Sequence, residues 1–172
     1  MLELDITTIE KNWKTYEMLI EKLSDENVLK MIGVIGERLC LAPASTHSDH
    51  GGCYRGGLVQ NALMITSQMR KLNDLYDLDL PIESIIKVGL FHDIGRVGDL
   101  EDDLLIDQDS KWHKEKLGQM FKYNEEVDKM SISHRGLWIL QHFCVTLSRD
   151  EWIAIQISHG AHYEENRFYV GS

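Results

Sequence analysis

Two side chains able to do chemistry stand next to each other in an apolar run: His92 and Asp93, within Gly89-Leu90-Phe91-His92-Asp93-Ile94-Gly95-Arg96. An imidazole nitrogen and a carboxylate oxygen are both metal ligands, and a carboxylate can bridge two cations. Neighbouring residues on a helix diverge by about 100°. Both can face one ion if the helix ends there, and Gly95 permits such an ending. The competing reading is a buried histidine capped by its aspartate, and a dipeptide this short does not decide between the two.

Further histidines sharpen the choice, since the chain carries 8. His134 stands one turn before Leu137 and Trp138, which predicts the core side of its helix. His159 lies at helical spacing from Trp152 and Ile155, again predicting an inward side chain. Each alone reads as a satisfied core histidine. Together with His92 and Asp93 they form a set of titratable groups that a core has little reason to gather unless something binds them. Asn61 shares the face of Leu58, Ala62 and Ile65, so its amide either meets a backbone carbonyl or belongs to the site. Ahead of it, the glycine-rich stretch 42–57 lets backbone approach a ligand, and Arg55 can meet a phosphate. For His47 and His50 a flexible surface turn is the alternative.

These residues need helices to position them. The apolar spacing of Ile9, Trp13, Met18, Leu19 and Leu23 predicts a helix over 6–23. Ser24 resembles an N-cap for a second, ending near Leu41. After the 42–57 loop, Leu58, Ala62, Ile65 and Met69 mark a third helix to Leu75. Pro81 is placed to open a fourth, running to His92 with Ile85, Val88, Gly89 and His92 inward. The stretch 97–129 is the least regular, with loops, a short helix or a hairpin expected. A fifth helix is predicted over 133–147. The capping-box pattern Ser148-Arg149-Asp150-Glu151 starts a sixth that ends near His159, with Gly160 as its C-cap. Six helices and no convincing strands predict an all-α fold. One unit is expected over 1–172, with 1–40 an N-terminal helical extension of it.

The bulk properties narrow the function classes. With 172 residues, 43% of them hydrophobic, the chain can bury a core. Its net charge of -10 disfavours a nucleic-acid partner, which needs clustered Lys and Arg. A small phosphorylated substrate stays open, because a bound cation supplies positive charge locally. No stretch approaches the ~18 apolar residues of a membrane span. The acidic start does not read as a secretory signal. Cys40, Cys53 and Cys144 have no CxxC spacing and read as reduced thiols, so a cytoplasmic location is expected.

In this order the residues resemble the HD superfamily of metal-dependent phosphohydrolases, most of all its small phage and bacterial members. Four segments carry the likeness: Ala42-Pro43-Ala44-Ser45-Thr46 with Gly56-Gly57-Leu58; Leu90 to Arg96; Trp112-His113-Lys114-Glu115-Lys116-Leu117-Gly118 with Lys122-Tyr123-Asn124; and Ser133-His134-Arg135 through Gln141-His142 to His159-Gly160. The resemblance spans about 41–169 and is far more specific than the dipeptide alone.

It implies an HD-like helical bundle holding one or two divalent cations (Mn, Fe, Co, Ni, Zn or Mg), with attack by metal-bound water on phosphorus. His92 and Asp93 carry over as ligands, Asp93 as the bridge. His134 and His159 carry over as the extra histidines of two-metal members. Arg96 matches a basic position able to steady a phosphate oxygen, making Asp93 and Arg96 the expected catalytic pair. Arg55, His113, Lys116 and Arg135 are the basic residues expected to meet substrate. Two positions depart from the pattern. Asn61 stands where the family has its first histidine ligand, and nothing up to Ser172 matches the family's final aspartate. The half-site of Asp93, His134 and His159 survives. The implied activity is hydrolysis of a nucleotide or related phosphate ester. The alternative is a degenerate module that binds a nucleotide or a protein partner without turnover. A homo-oligomer could bury the end of a shortened bundle.

Overall fold

The protein is described here by a computed structural model, which covers residues 4–160 and 162–169. The ends of the expected 1–172 unit, and Ala161 within it, lie outside the described residues. The fold is all-α. Seven α-helices form it among the described residues: α1 (Ile6–Lys22), α2 (Glu26–Leu41), α3 (Gly57–Leu75), α4 (Ile82–Phe91), α5 (Lys111–Leu117), α6 (Ile132–His142) and α7 (Arg149–Ile157). Two three-residue strands, β1 (Leu105–Asp107) and β2 (Phe121–Tyr123), pair antiparallel with Ile106 opposite Lys122. Short 3-10 turns cover Ile94–Val97 and Glu164–Tyr169.

Local chemistry explains most helix starts. Asp5, Asp25, Ser110, Ser131 and Ser148 each accept a hydrogen bond from a first-turn N–H of the helix that follows. The cap of α2 is therefore Asp25 and not Ser24, which adopts a left-handed φ of 49°. Asp25 wins because its carboxylate reaches two N–H groups, those of Asn27 and Val28. Ser148 and Glu151 complete a reciprocal capping box, as the sequence predicts. Pro81 is the cap of α4 itself, one residue before the position expected of it. Helix α6 stops at His142, short of the expected 147, because Cys144 turns left-handed at φ 57°. The irregular stretch holds both a short helix and a hairpin.

The main core gathers Tyr16, Val28, Met31, Ile35, Leu58, Phe91, Ile94, Ile139, Leu140 and Ile155, drawn from α1 to α4, α6, α7 and the 3-10 turn. Helices α3 and α4 approach closely where Gly89 lies against Thr66. A second, smaller cluster of Cys53, Leu104, Leu105, Phe121 and Val127 supports the hairpin. The three cysteines are free thiols. No described helix is long and apolar enough to cross a membrane.

Candidate functional site

Helix α4 ends at Phe91, and the chain passes through His92 and Asp93 into the 3-10 turn Ile94–Val97. Gly95 is required there by close approach, not by a special φ. A side chain at this position would collide with the Ile132 carbonyl and stand 2.8 Å from Gly136 N, both in α6. The turn is also tied to α2, because Arg38 donates to Val97 O at 3.3 Å and to Asp99 O at 2.7 Å. Packing from two helices thus fixes the backbone that carries Asp93.

Asp93 is engaged on both carboxylate oxygens. Arg96 Nε donates to Oδ2 at 2.9 Å, and His159 Nε2, reaching across from just beyond α7, lies 2.9 Å from Oδ1. Ser158 Oγ lies at this junction, 2.8 Å from Ile155 O and 3.3 Å from His92 O, the two carbonyls within reach of its one hydroxyl proton. The His159 contact has hydrogen-bond length without hydrogen-bond direction: Oδ1 and Nε2 are both buried polar atoms with no aligned partner. Burial raises the Asp93 carboxyl, but the close His159 ring and the charges of Arg96, His92 and His159 outweigh it and hold it at about 2. Asp93 is therefore a carboxylate throughout the physiological range. His92 places Nδ1 2.9 Å from Gly89 O. A carbonyl only accepts, so Nδ1 donates to it, and Nε2 is a ligating nitrogen only in the ring that carries no second proton.

These atoms fit a cation in part. Two buried donors, a nitrogen and a carboxylate oxygen, face each other unsatisfied. Their 2.9 Å separation is also that of an ordinary imidazole–carboxylate ion pair. Among the described residues, however, no group of three or more His, Cys, Asp or Glu side chains is gathered as a metal set.

The other expected ligands stand elsewhere. His134 is exposed, contrary to its predicted inward position. It shares the outer face of α6 with Trp138, which is 39% exposed, while Ser133, Arg135, Gly136, Ile139 and Leu140 turn inward. Asn61 packs on the glycine loop, where a Cβ on Gly52 would stand 2.9 Å from its Nδ2. It makes no hydrogen bond to His92 or Asp93 among the described residues. His47 pairs through Nδ1 with Thr46 Oγ1 at 2.8 Å, His50 is exposed, and the His162 ring lies on Tyr163.

The expected substrate-binding residues divide into two groups. Arg55 pairs with Asp107 of the hairpin at 2.9 Å and lies over the Phe121 ring. His113 bonds Ser110 Oγ through Nδ1 at 2.7 Å, and Lys116 projects exposed from α5. Only Arg135 shares a surface with His159. Both line a cavity of about 850 Å³ between the hairpin side of the molecule and α6, α7 and the last 3-10 turn.

Three polar residues escaped the sequence reading: the half-buried Arg38 behind the turn, and the buried Gln156 and Asn166 in the cavity wall. Gln156 had a legible signal. It sits beside Ile155 in the inward phase of α7, where a polar side chain is as unexpected as Asn61 is in α3. Compared with known proteins, the chain matches no family model, no curated protein and no solved structure.

Proposed function

We propose that this chain is a metal-dependent phosphohydrolase of HD type, acting on a nucleotide or a related phosphate ester. One observation carries the reading: an ionised, largely buried Asp93 lies 2.9 Å from His159 in a contact not aligned as a hydrogen bond, and His159 lines a cavity large enough for a small molecule. Asp93 and His159 are the residues that would hold a cation. A divalent cation held there would supply Lewis-acid polarisation of a phosphoryl oxygen and a lowered pKa for water.

The remaining work falls to the chain's own groups. Arg96 keeps Asp93 ionised and fixes the plane of its carboxylate through Oδ2. Gly89 O fixes the His92 tautomer. Arg135 presents positive charge from the cavity wall toward an anionic substrate. The test is phosphate or nucleoside release from a nucleotide panel with manganese, cobalt or magnesium added. Wild type is expected to turn over at least one substrate and Asp93→Asn none. Absence of turnover across the panel, in protein shown by elemental analysis to hold metal, would refute the reading.

A second reading is a degenerate module that binds without turnover. Arg96 on Asp93 Oδ2 favours it, because the guanidinium occupies one of the two faces a bridging carboxylate would offer. Asn61 in place of a histidine favours it too. Protein that stays metal-free after reloading, together with gain of metal by Asn61→His, would support this second reading over the first.

A further inference from the structure

Two surfaces far apart on the molecule expose apolar side chains together with charge of one sign. The first is the tip where α3 turns into α4. Leu72, Leu75, Tyr76, Leu78, Leu80 and Ile82 stand there between 48% and 70% exposed. Single exposed apolar residues are ordinary, but a run of this kind marks a contact surface. Its charge is negative: Asp74, Asp77, Asp79 and Glu83 lie within 72–83, with no Lys or Arg beside them in that stretch. None of these carboxylates forms an ion pair among the described residues. The tip is held in shape, because Leu80 N donates to Asn73 Oδ1 at 2.9 Å and Leu78 N donates to Asn73 O at 3.1 Å.

The second surface is α5, none of whose residues is buried. Trp112 is 58% exposed and Leu117 is 49% exposed. Lys111, Lys114 and Lys116 share the helix with a single acid, Glu115, whose pair with Lys111 at 3.6 Å is itself exposed. Lys114 and Lys116 form no ion pair among the described residues. A helix this short has little stability of its own and depends on packing, yet α5 packs no side chain into the core.

The two surfaces complement each other. Their charges are opposite, and each offers an aromatic anchor, Tyr76 or Trp112, of the kind enriched at interface centres. One chain cannot join them. The C-terminal end of α5 is tied to the loop before α3, where Ser48 N donates to Gly118 O at 2.8 Å. The tip lies at the far end of α3, a helix of 19 residues and so about 28 Å long.

We infer that the protein associates head to tail with a second copy of itself, the acidic apolar tip of one copy docking on the basic α5 of the next. Tip against tip would set like charges face to face, so the contact joins unlike surfaces. Such a contact closes into a ring or continues as an open chain. The net charge of -10 opposes association in general. At physiological ionic strength, however, charges are screened beyond about 8 Å, and the facing patches decide. The contact goes beyond the phosphohydrolase reading and does not rest on it.

The test is analytical ultracentrifugation of the full-length protein at physiological ionic strength, up to millimolar concentration. Wild type should associate with rising concentration. One variant, Asp74→Lys with Leu75→Lys, spoils the tip, and a second, Trp112→Ser with Lys114→Gln, spoils α5. All four positions are exposed, so both variants should keep the circular dichroism of wild type. Either variant alone should associate more weakly by tenfold or more. Mixed in equal amounts they should form a 1:1 pair and nothing larger, because the first still offers α5 and the second still offers its tip. Wild type that stays monomeric would overturn the inference and leave both surfaces to partners of other sequence. Association undiminished in either variant, or a mixture that forms no 1:1 pair, would place the contact elsewhere and overturn it as well.

Discussion

Replacing Asp93 by Asn should destabilise the protein at neutral pH by an amount that vanishes in acid. The carboxyl is 13% exposed and is brought from an ordinary value of 3.8 to about 2. Burial works against that shift, while His159, Arg96 and His92 drive it. A tenfold change in proton affinity corresponds to about 1.4 kcal/mol, so ionised Asp93 contributes about 2 kcal/mol to folding. The folded-state value lies below the unfolded one. The contribution is therefore complete above pH 4 and is lost as pH falls through about 2. Urea unfolding of wild type and Asp93→Asn across pH 2 to 7, in chelator so that no ligand adds stability, reads this directly. The gap should be about 2 kcal/mol at pH 7 and close by about pH 2. Asp99 and Asp109, whose carboxyls are also lowered, titrate in both proteins and cancel in the difference. A gap that stays constant over the whole range would show that Asp93 contributes by shape, not by charge, and would refute the electrostatic reasoning.

Other substitutions test the scaffold. Gly95→Ala sets a methyl against the Ile132 carbonyl, a backbone atom that cannot rotate away. It should lower stability by about 1–3 kcal/mol in thermal melts, and by displacing Asp93 it should abolish any turnover that wild type shows. Ser148→Ala removes one half of the capping box at α7 and should cost about 1 kcal/mol in denaturant midpoints. Phe91→Ala empties a fully buried position at the end of α4 and should cost about 3–5 kcal/mol by the same measurement.

The sequence made six of the seven described helices legible because apolar spacing and caps are local signals. The bounds of α1 and α3 follow from the spacing of their apolar residues, and Ser148 with Glu151 announces α7. The hairpin was harder to read. Its strands are three residues long, and what holds them is the distant cluster around Cys53 and Phe121, which no local pattern announces. Gly95 shows the same limit. Its necessity comes from α6, nearly 40 residues further along the chain, whereas the sequence offered only the freedom of a glycine at a helix end.

His134 and His159 show most clearly how a helical phase can be misjudged. Each was placed inward by its spacing from a tryptophan and an aliphatic neighbour. For His159 the aliphatic neighbour governs: Ile155 is fully buried, and the ring four residues on follows it inward to Asp93. For His134 the tryptophan governs, and Trp138 lies on the outer face. Tryptophan is rarely fully buried, so it is a poor marker of helical phase. The better marker on α6 was the small and aliphatic set Gly136, Ile139 and Leu140, which puts Arg135 inward and His134 out. That one-residue difference in phase exchanges a neutral ligand for a fixed positive charge beside the cavity. A site with His134 inward would draw cations to both sides of Asp93. On the proposed reading, the phase with Arg135 inward would leave His159 to meet a cation beside Asp93 and would set a positive charge in the cavity wall.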